Sequence, residues 1–255
     1  MENLFIIDDD LLLLPNRAIY IKSIDSLVFA DLHLGIEYAL ALKGIFLPAY
    51  QFREIRSIIF EYIKRFKPKK LILVGDLKHE FGQKTRQEHK ETIELLSEIT
   101  DLNLHFILVR GNHDNFIRGV LEKFGVDFRD PIYIDGDFLF IHGHKDIPLN
   151  SESFRWVIMG HEHPAVLLRD EVGGKEKFPV FLVGSYPNNV NVRLLVLPAL
   201  SPVATGVEIN LCEPSDFLSP ILRKSDIENF RVIVSLNRGV LELPTVGKLR
   251  EISFL

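Results

Sequence analysis

Side chains that can bind metal ions recur along the sequence, each time directly after a short apolar run. Asp31 and His33 are separated by one residue, so in an extended segment their side chains lie on the same side. Asp76 follows a glycine at the end of another apolar run, where its carboxylate could bridge two ions. The set is completed by Asn112, His142, His161 and His163. Mixed carboxylate, amide and imidazole ligands suit manganese, iron or zinc better than calcium, so the residue types predict a site for such ions.

Position decides which histidines belong to this set, because a single histidine is usually a packed or solvated side chain. His89 lies in a charged helical segment, and His105 alternates with apolar residues in a strand. Neither follows a strand end, so neither is assigned to the site. In His142-Gly143-His144, His142 is assigned because it directly follows the apolar run, and His144 is kept as the alternative.

The apolar runs predict the elements that must bring these residues together. The predicted strands are residues 27–30, 71–74, 104–109, 138–141, 156–159, 180–183 and 192–197. The predicted helices, whose apolar residues recur at helical spacing, are residues 51–66 and 83–100. Loops at the carboxyl ends of parallel strands gather at one edge of an α/β sheet, so the candidate ligands are expected to converge there.

Composition limits the class of protein. The chain has 255 residues, of which 47% are hydrophobic and 25% charged, the balance of a soluble globular protein. A single cysteine, Cys212, excludes a disulfide framework within one chain, and no apolar run reaches the roughly 20 residues that span a bilayer. We therefore expect a cytoplasmic protein without a membrane partner. The net charge of −5 gives no general attraction to nucleic acid.

Taken in order, these motifs resemble a known superfamily. The series Asp-x-His, Gly-Asp, Gly-Asn-His-Asp, His-Gly-His and Gly-His-x-His, within residues 27–165, is similar to that of the calcineurin-like metallophosphoesterases. The resemblance implies an α/β fold in which two mixed β-sheets pack as a sandwich flanked by helices, with two metal ions at the strand ends.

The resemblance also implies a role for each residue. The first ion would be held by Asp31, His33 and His163, the second by Asn112, His142 and His161, and Asp76 would bridge both. His113 would face the scissile phosphate as general acid or electrostatic stabiliser, and Asp114 would orient it. Two ions can clamp the phosphoryl oxygens and convert a bridging water into the attacking hydroxide.

Three residues are candidate substrate contacts: Asn112, His79 and Arg110. His79 follows the bridging Asp76 by three positions, where SbcD-type nucleases resemble this sequence in placing a polar residue; packing in a loop is the alternative. Arg110 could meet a phosphate, or it could form a surface salt bridge instead.

A narrower likeness involves residues 29–35, 75–81, 196–199 and 217–220. They resemble the archaeal phosphoesterases related to SbcD nucleases and the bacterial phosphodiesterases associated with ligase and helicase genes. That likeness implies a phosphodiesterase that uses Mn²⁺, with Fe, Zn or Ni as alternatives, and that acts as a nuclease in DNA repair or RNA processing. A helicase or ligase would be its functional partner.

Several functions stay open at this stage. The leading hypothesis is a nuclease acting on DNA or RNA; the alternatives are a hydrolase of small nucleotides or other small phosphodiesters and an inactive binding scaffold. Residues 1–197 are expected to form the catalytic domain. Residues 198–255 would be a C-terminal extension or closing subdomain that could be continuous with it, and an edge strand there could pair with a second copy.

Overall fold

Two mixed β-sheets form the centre of the fold. The computed structural model describes residues 4–82, 85–147, 153–169 and 172–253. The first sheet has seven strands in the order of the chain: β1 (Phe5–Ile6), β2 (Leu11–Leu13), β3 (Ile19–Ile21), β4 (Ser26–Phe29), β5 (Lys70–Val74), β6 (His105–Val109) and β7 (Asp127–Arg129). Strands β1 to β4 pair antiparallel, whereas β4 to β7 pair parallel. The parallel half ends in the loops that carry the first candidate ligands.

The second sheet has nine strands. They are β8 (Ile132–Asp135), β9 (Phe138–Ile141), β10 (Trp156–Met159), β11 (Pro164–Arg169), β12 (Lys175–Tyr186), β13 (Asn189–Val196), β14 (Val207–Glu208), β15 (Arg231–Ser235) and β16 (Val240–Leu243). Seven run in the order β14-β11-β12-β13-β10-β9-β8, and β15 joins β12 to β16. Strands β9, β10 and β13 are parallel, so the loops after β9 and β10 lie at the same edge.

Five α-helices are present among the described residues: α1 (Ile36–Leu42), α2 (Gln51–Phe66), α3 (Arg86–Asp101), α4 (Arg118–Lys123) and α5 (Val246–Ser253). The predicted helix 51–66 is confirmed at both ends. The predicted helix 83–100 begins at Arg86, because Thr85 caps it by accepting a hydrogen bond from the backbone N–H of Glu88. Residues 83 and 84 lie outside the described residues.

The side chains of each buried strand alternate between the two faces of its sheet and so pack into different layers of the core. In β4, Val28 faces the second sheet, while Leu27 and Phe29 face the helices. In β9, Phe138 and Phe140 face the first sheet, and the residues between and after them face outward. Because successive side chains of a strand point to opposite faces, each buried strand contributes to two apolar cores. The sandwich therefore has one core between the sheets and one on each outer face.

The α/β fold predicted from the motifs, two mixed sheets with flanking helices, is confirmed. Helices α2 and α3 pack on the outer face of the first sheet. Helix α5 and residues 217–230 pack on the outer face of the second sheet. The segment after residue 197 supplies β14, β15 and β16 to the second sheet. Among the described residues, no helix is long and apolar enough to span a membrane.

Candidate metal centre

The loops after five strands carry the candidate ligands. In the first sheet, β4 leads to Asp31 and His33, β5 to Asp76, and β6 to Asn112. In the second sheet, β9 leads to His142, and β10 leads to His161 and His163. Within each sheet these strands are parallel, so all the loops open at one end of the sandwich.

One group of ligand atoms lies between the two sheets on the side of β4. The Nε2 atoms of His33 and His163 are 3.2 Å apart, and Nε2 of His163 is 3.3 Å from Oδ1 of Asp31. All three ligand atoms lie within 4.8 Å of one another. Two imidazole nitrogens and a carboxylate oxygen at this spacing can surround one divalent ion.

A second group lies beside it and contains Asp76, His142 and His161. Nε2 of His142 is 3.0 Å from Oδ1 of Asn112 and 3.3 Å from Oδ2 of Asp76. The same Asp76 oxygen is 3.8 Å from Nε2 of His33, which belongs to the first group. Asp76 therefore stands between the two groups, in the position expected of a bridging carboxylate.

A buried carboxylate oxygen indicates that these ligands suit a cation. Within the part of the chain that the structure describes, Oδ1 of Asp31 is buried and has no hydrogen-bond partner, whereas its Oδ2 accepts a hydrogen bond from the backbone N–H of His161 at 3.0 Å. A buried carboxylate oxygen without a partner is costly in a protein interior. A divalent ion between Asp31, His33 and His163 would satisfy this oxygen.

The backbone fixes which nitrogen of His142 can bind a metal. Its Nδ1 lies 3.1 Å from the carbonyl oxygen of Val74, to which an N–H at that position can donate. This contact leaves Nε2 to face Asp76 and Asn112. A hydrogen bond from the other ring nitrogen is the usual support of a metal-binding imidazole, and His142 has this contact.

The ligand histidines differ in their pKa values. Burial alone would lower the pKa of His142, but the Asp76 and Asp31 carboxylates outweigh it and raise the pKa to about 9. Burial and the neighbouring His163 hold the pKa of His33 well below its usual range. Burial and the nearby His142 lower the pKa of His161 to about 3. Without metal at neutral pH, His142 therefore carries a proton that a metal ion must displace.

Two glycines make room for the ligands. A Cβ atom at Gly75 would lie 2.0 Å from Nδ1 of His142, and one at Gly111 would lie 2.0 Å from Oδ1 of Asp76. Both glycines directly precede a candidate ligand in the sequence. A side chain at Gly75 would collide with a ligand from the second sheet, and one at Gly111 would collide with a ligand from the adjacent strand β5.

The backbone of the ligand loops is strained. Five candidate ligands have φ between 48° and 69°, the left-handed region: Asp31, His33, Asp76, His161 and His163. Residues other than glycine in this region cost on the order of 1–3 kcal/mol each and cluster at functional sites.

His113 lies at the edge of this cluster. Its Nδ1 contacts the carbonyl oxygen of His79, and its Nε2 is 3.8 Å from Oδ2 of Asp76. Its backbone N–H donates to Oδ1 of Asp76 at 2.9 Å, and the half-exposed ring of Phe81 packs against the imidazole. Nε2 is thus the atom of His113 that points toward the ligand groups.

The Asp114 carboxylate accepts hydrogen bonds from the backbone of two ligand loops. Its two oxygens accept backbone N–H groups of Asp76, Leu77 and Gly111 at 2.8–2.9 Å. Nδ1 of His113 contacts the carbonyl oxygen of His79, and the orienting role of Asp114 stays a prediction. Burial and the neighbouring Asp76 raise the pKa of Asp114 to about 6. Asp114 therefore connects the loop after β5 to the loop after β6.

The candidate substrate contacts differ in their surroundings. Nδ1 of His79 is 3.4 Å from Nδ1 of His33, and His79 forms a third group of potential ligands with His33 and His113. The guanidinium of Arg110 donates to Asp130 at 2.6 Å and to Asn115 at 2.8 Å, the salt-bridge alternative considered above. Its charge is thus largely neutralised. His89 and His105 are exposed and lie outside the three ligand groups.

Two supporting contacts were not expected from the sequence. Glu162, between His161 and His163, is completely buried, and its carboxylate accepts the backbone N–H groups of Leu218 and Ser219 at 3.0 and 2.8 Å. The Ser219 hydroxyl donates to the carbonyl of Gly143 at 2.8 Å. The segment 217–219 therefore connects both histidine loops of the second sheet. The Phe-Leu-Ser-Pro motif at 217–220 was the only sequence signal for it.

A similar contact supports the loop of His33. The Gln51 amide donates to the carbonyl oxygen of His33 at 2.9 Å and accepts from the Ser201 hydroxyl at 2.7 Å. Glu37 has the appearance of a solvated helix residue in the sequence, yet it is buried and accepts the backbone N–H groups of Tyr50 and Gln51. Polar residues at the start of α1 and α2 therefore hold this ligand loop.

Fold and site together define a two-sheet α/β protein with a candidate dinuclear metal centre at the strand ends. Residues 25–189 match the family of calcineurin-like phosphoesterases. The chain belongs to that family. No curated protein sequence is significantly similar to it.

Solved structures are similar at low sequence identity. Nuclease MPE of Pseudomonas putida is 19% identical with a TM-score of 0.67, and the alignment covers 95% of this chain and 100% of that one. The phosphoesterase YfcE of E. coli is 15% identical with a TM-score of 0.41, covering 71% and 83% of the two chains. Protein AQ665 of Aquifex aeolicus is 21% identical with a TM-score of 0.38, covering 54% and 78%. At this low sequence identity, the similarity to the Pseudomonas putida nuclease concerns the fold.

Proposed function

We propose that this protein is a metal-dependent phosphodiesterase that cleaves nucleic acid. The observation that carries the proposal is Asp76, whose Oδ2 lies 3.8 Å from Nε2 of His33 and 3.3 Å from Nε2 of His142. A carboxylate between two groups of imidazole ligands is what a pair of divalent ions requires. Two ions, with Mn²⁺ proposed and Fe, Zn or Ni as alternatives, would be held by the seven residues assigned above.

Bound ions would polarise the phosphoryl oxygens and lower the pKa of a water molecule, which supplies a nucleophile at neutral pH. The protein's own contribution is the placement of His113. Its Nδ1 is engaged by the His79 carbonyl, so Nε2 is free to donate a proton or a hydrogen bond to the oxygen that leaves phosphorus. Phe81 packs on the imidazole and limits its rotation.

The proposal that the substrate is nucleic acid rests on the similarity of this chain to other proteins. The structure of the Pseudomonas putida nuclease aligns over 95% of this chain, and the segments 29–35 and 75–81 resemble SbcD-related enzymes. These similarities support DNA or RNA as substrate and a helicase or ligase as functional partner. Small nucleotides or other small phosphodiesters are the second candidate, favoured by the net charge of −5, which gives no general attraction to a polyanion.

The test is cleavage of end-labelled single-stranded DNA and RNA in Mn²⁺, compared with the His113→Ala variant. We expect the wild-type protein to give a product ladder and His113→Ala to be slower by about 10²–10⁴-fold, the usual contribution of a general acid. Metal content, measured by elemental analysis, should be the same in both proteins, because His113 is assigned to the substrate rather than to an ion.

The outcomes separate the candidates. Loss of metal in His113→Ala would make His113 a ligand and overturn its proposed role. Hydrolysis of bis-(p-nitrophenyl) phosphate without cleavage of either nucleic acid would favour small phosphodiesters. No hydrolysis of any phosphodiester by metal-loaded protein would leave the binding scaffold as the remaining function.

A further inference from the structure

A cavity of about 210 Å³ adjoins the metal centre on the side of His163. Its walls come from the start of β11, the middle of β12 and residues 198–206. His163, a candidate ligand of the first ion, forms part of its lining. A phosphate held by that ion would lie on the side of the metal centre that the cavity adjoins, and the group next to the phosphate could enter it.

The cavity lining combines apolar side chains with polar groups. Its lining includes Pro164, Pro179, Pro198 and Pro202, together with Ala165, Ala199 and Ala204. Ligand sites are typically concave and lined mainly by apolar groups, and the ones that hold drug-sized molecules measure about 300–1,000 Å³. A smaller cavity suits one ring system and not a stacked base pair.

The wall formed by residues 198–206 is held in place by polar contacts. The guanidinium of Arg17 donates to the carbonyl oxygens of Leu200 and Ser201 at 3.2 and 2.9 Å. The Ser201 hydroxyl donates to Gln51 at 2.7 Å and accepts the backbone N–H of Ala204 at 2.9 Å. Because Gln51 also holds the His33 loop, this wall and the metal centre share one support.

The two cationic side chains of the cavity lining are engaged by other groups of the protein. The Lys177 ammonium group contacts the Glu208 carboxylate at 3.2 Å and the Gly206 carbonyl at 2.5 Å. The Arg17 guanidinium is engaged by backbone carbonyls. Because both cationic side chains already have hydrogen-bond partners within the protein, the cavity needs no anion to satisfy them.

Resting on the proposed phosphodiesterase function, we infer that this cavity binds the nucleobase of a nucleotide adjoining the scissile phosphate. A base can enter only when it is unpaired, because its partner in a duplex would collide with the walls. The substrate would then be a single strand or a small nucleotide. Thr205, exposed at the rim, is placed to contact the sugar.

The experiment measures binding, so it does not depend on turnover. Calorimetry with Mn²⁺-loaded protein would compare inorganic phosphate, deoxyribose 5-phosphate and thymidine 5′-monophosphate. We expect the thymidine nucleotide to bind about tenfold more tightly than the sugar phosphate, because only its base buries apolar surface in the cavity.

The variant Ala204→Phe fills the cavity. It should bind inorganic phosphate and Mn²⁺ as the wild type does, but lose the tenfold preference for the base. Ala204→Val, a smaller change on the same wall, should lose part of it and serves as the readout where the larger side chain perturbs phosphate binding.

Two failures are distinguishable. Phosphate binding without a base preference in the wild type, or a preference that persists in both variants, overturns the assignment of the cavity alone. Absence of phosphate binding by metal-loaded wild-type protein overturns both this inference and the proposed phosphodiesterase function.

Discussion

His142 is the candidate ligand whose proton state controls metal binding. The Asp76 and Asp31 carboxylates overcome the effect of burial and raise its pKa to about 9, whereas the pKa values of His33 and His161 are lowered. At pH 7, His142 is therefore the histidine among these three that must lose a proton before an ion binds. We expect metal binding to release about one proton and the affinity to rise about tenfold per pH unit up to pH 9.

The same proton stabilises the metal-free protein. Since the pKa in the folded state lies above the ordinary value of 6.5, this stabilisation is complete below pH 6.5 and is lost as the pH rises through about 9. Calorimetric titration in buffers of different ionisation enthalpy measures the released proton. A His142→Asn variant should release none; the same proton count in that variant would contradict the assignment.

For single residues, the sequence predicts the candidate ligands but not the residues that hold the ligand loops in place. The seven candidate ligands directly follow predicted strands, so topology alone brings them together. The contacts of Asp114 could not be predicted, because its three N–H donors come from two loops that only the folded sheet brings together. Glu162 was missed since its partners are 56 and 57 residues further along the chain.

Among the elements, the segment 217–219 has a role that reaches the metal centre. Glu162→Gln would replace one acceptor oxygen with an amide that faces the backbone N–H of Leu218 or Ser219. We expect a loss of about 1–3 kcal/mol in the free energy of unfolding, because a buried N–H is left without a partner. Metal affinity should fall by about 10–100-fold, the usual effect of changing a group that supports a ligand.

Thermal unfolding with and without Mn²⁺ measures the change in the free energy of unfolding, and calorimetry measures the change in metal affinity. Glu122→Gln, a change of the same kind at an exposed position of α4, is the matched control and should alter neither. Ser219→Ala removes only the hydroxyl that donates to Gly143 and should give a smaller effect in the same direction. Unchanged metal affinity in Glu162→Gln would limit this carboxylate to a role in stability.

How far an element can be predicted depends on its length and pattern. Helix α2 is predicted at both ends because its apolar residues recur over 16 residues and Pro68 follows closely. Strands β1, β2 and β3 were not predicted, since each has only two or three residues and no alternation can be recognised over so short a segment. Their existence depends on pairing with β4 and with one another.

For the whole molecule, the expected boundary at residue 198 can be tested by truncation. Strand β15 pairs with β12 through Val180–Val234 and Phe181–Ile233, and Ile233 lies in the core between the sheets. Phe230 lies close to Gly184, where a Cβ would be 2.2 Å from its ring. We expect a chain of residues 1–197 to lack cooperative thermal unfolding and near-UV circular dichroism. A cooperative transition that is raised by Mn²⁺ would show that residues 1–197 are a domain of their own.

The left-handed backbone of the ligand loops has a consequence for laboratory evolution. Glycine adopts positive φ without strain, so replacing His33, His161 or His163 by glycine removes a conformational cost together with a ligand. A screen for heat resistance of the metal-free protein would therefore enrich glycine at these positions and discard the metal centre while the sandwich persists. The ligand residues are the part of this chain that only selection for activity can maintain.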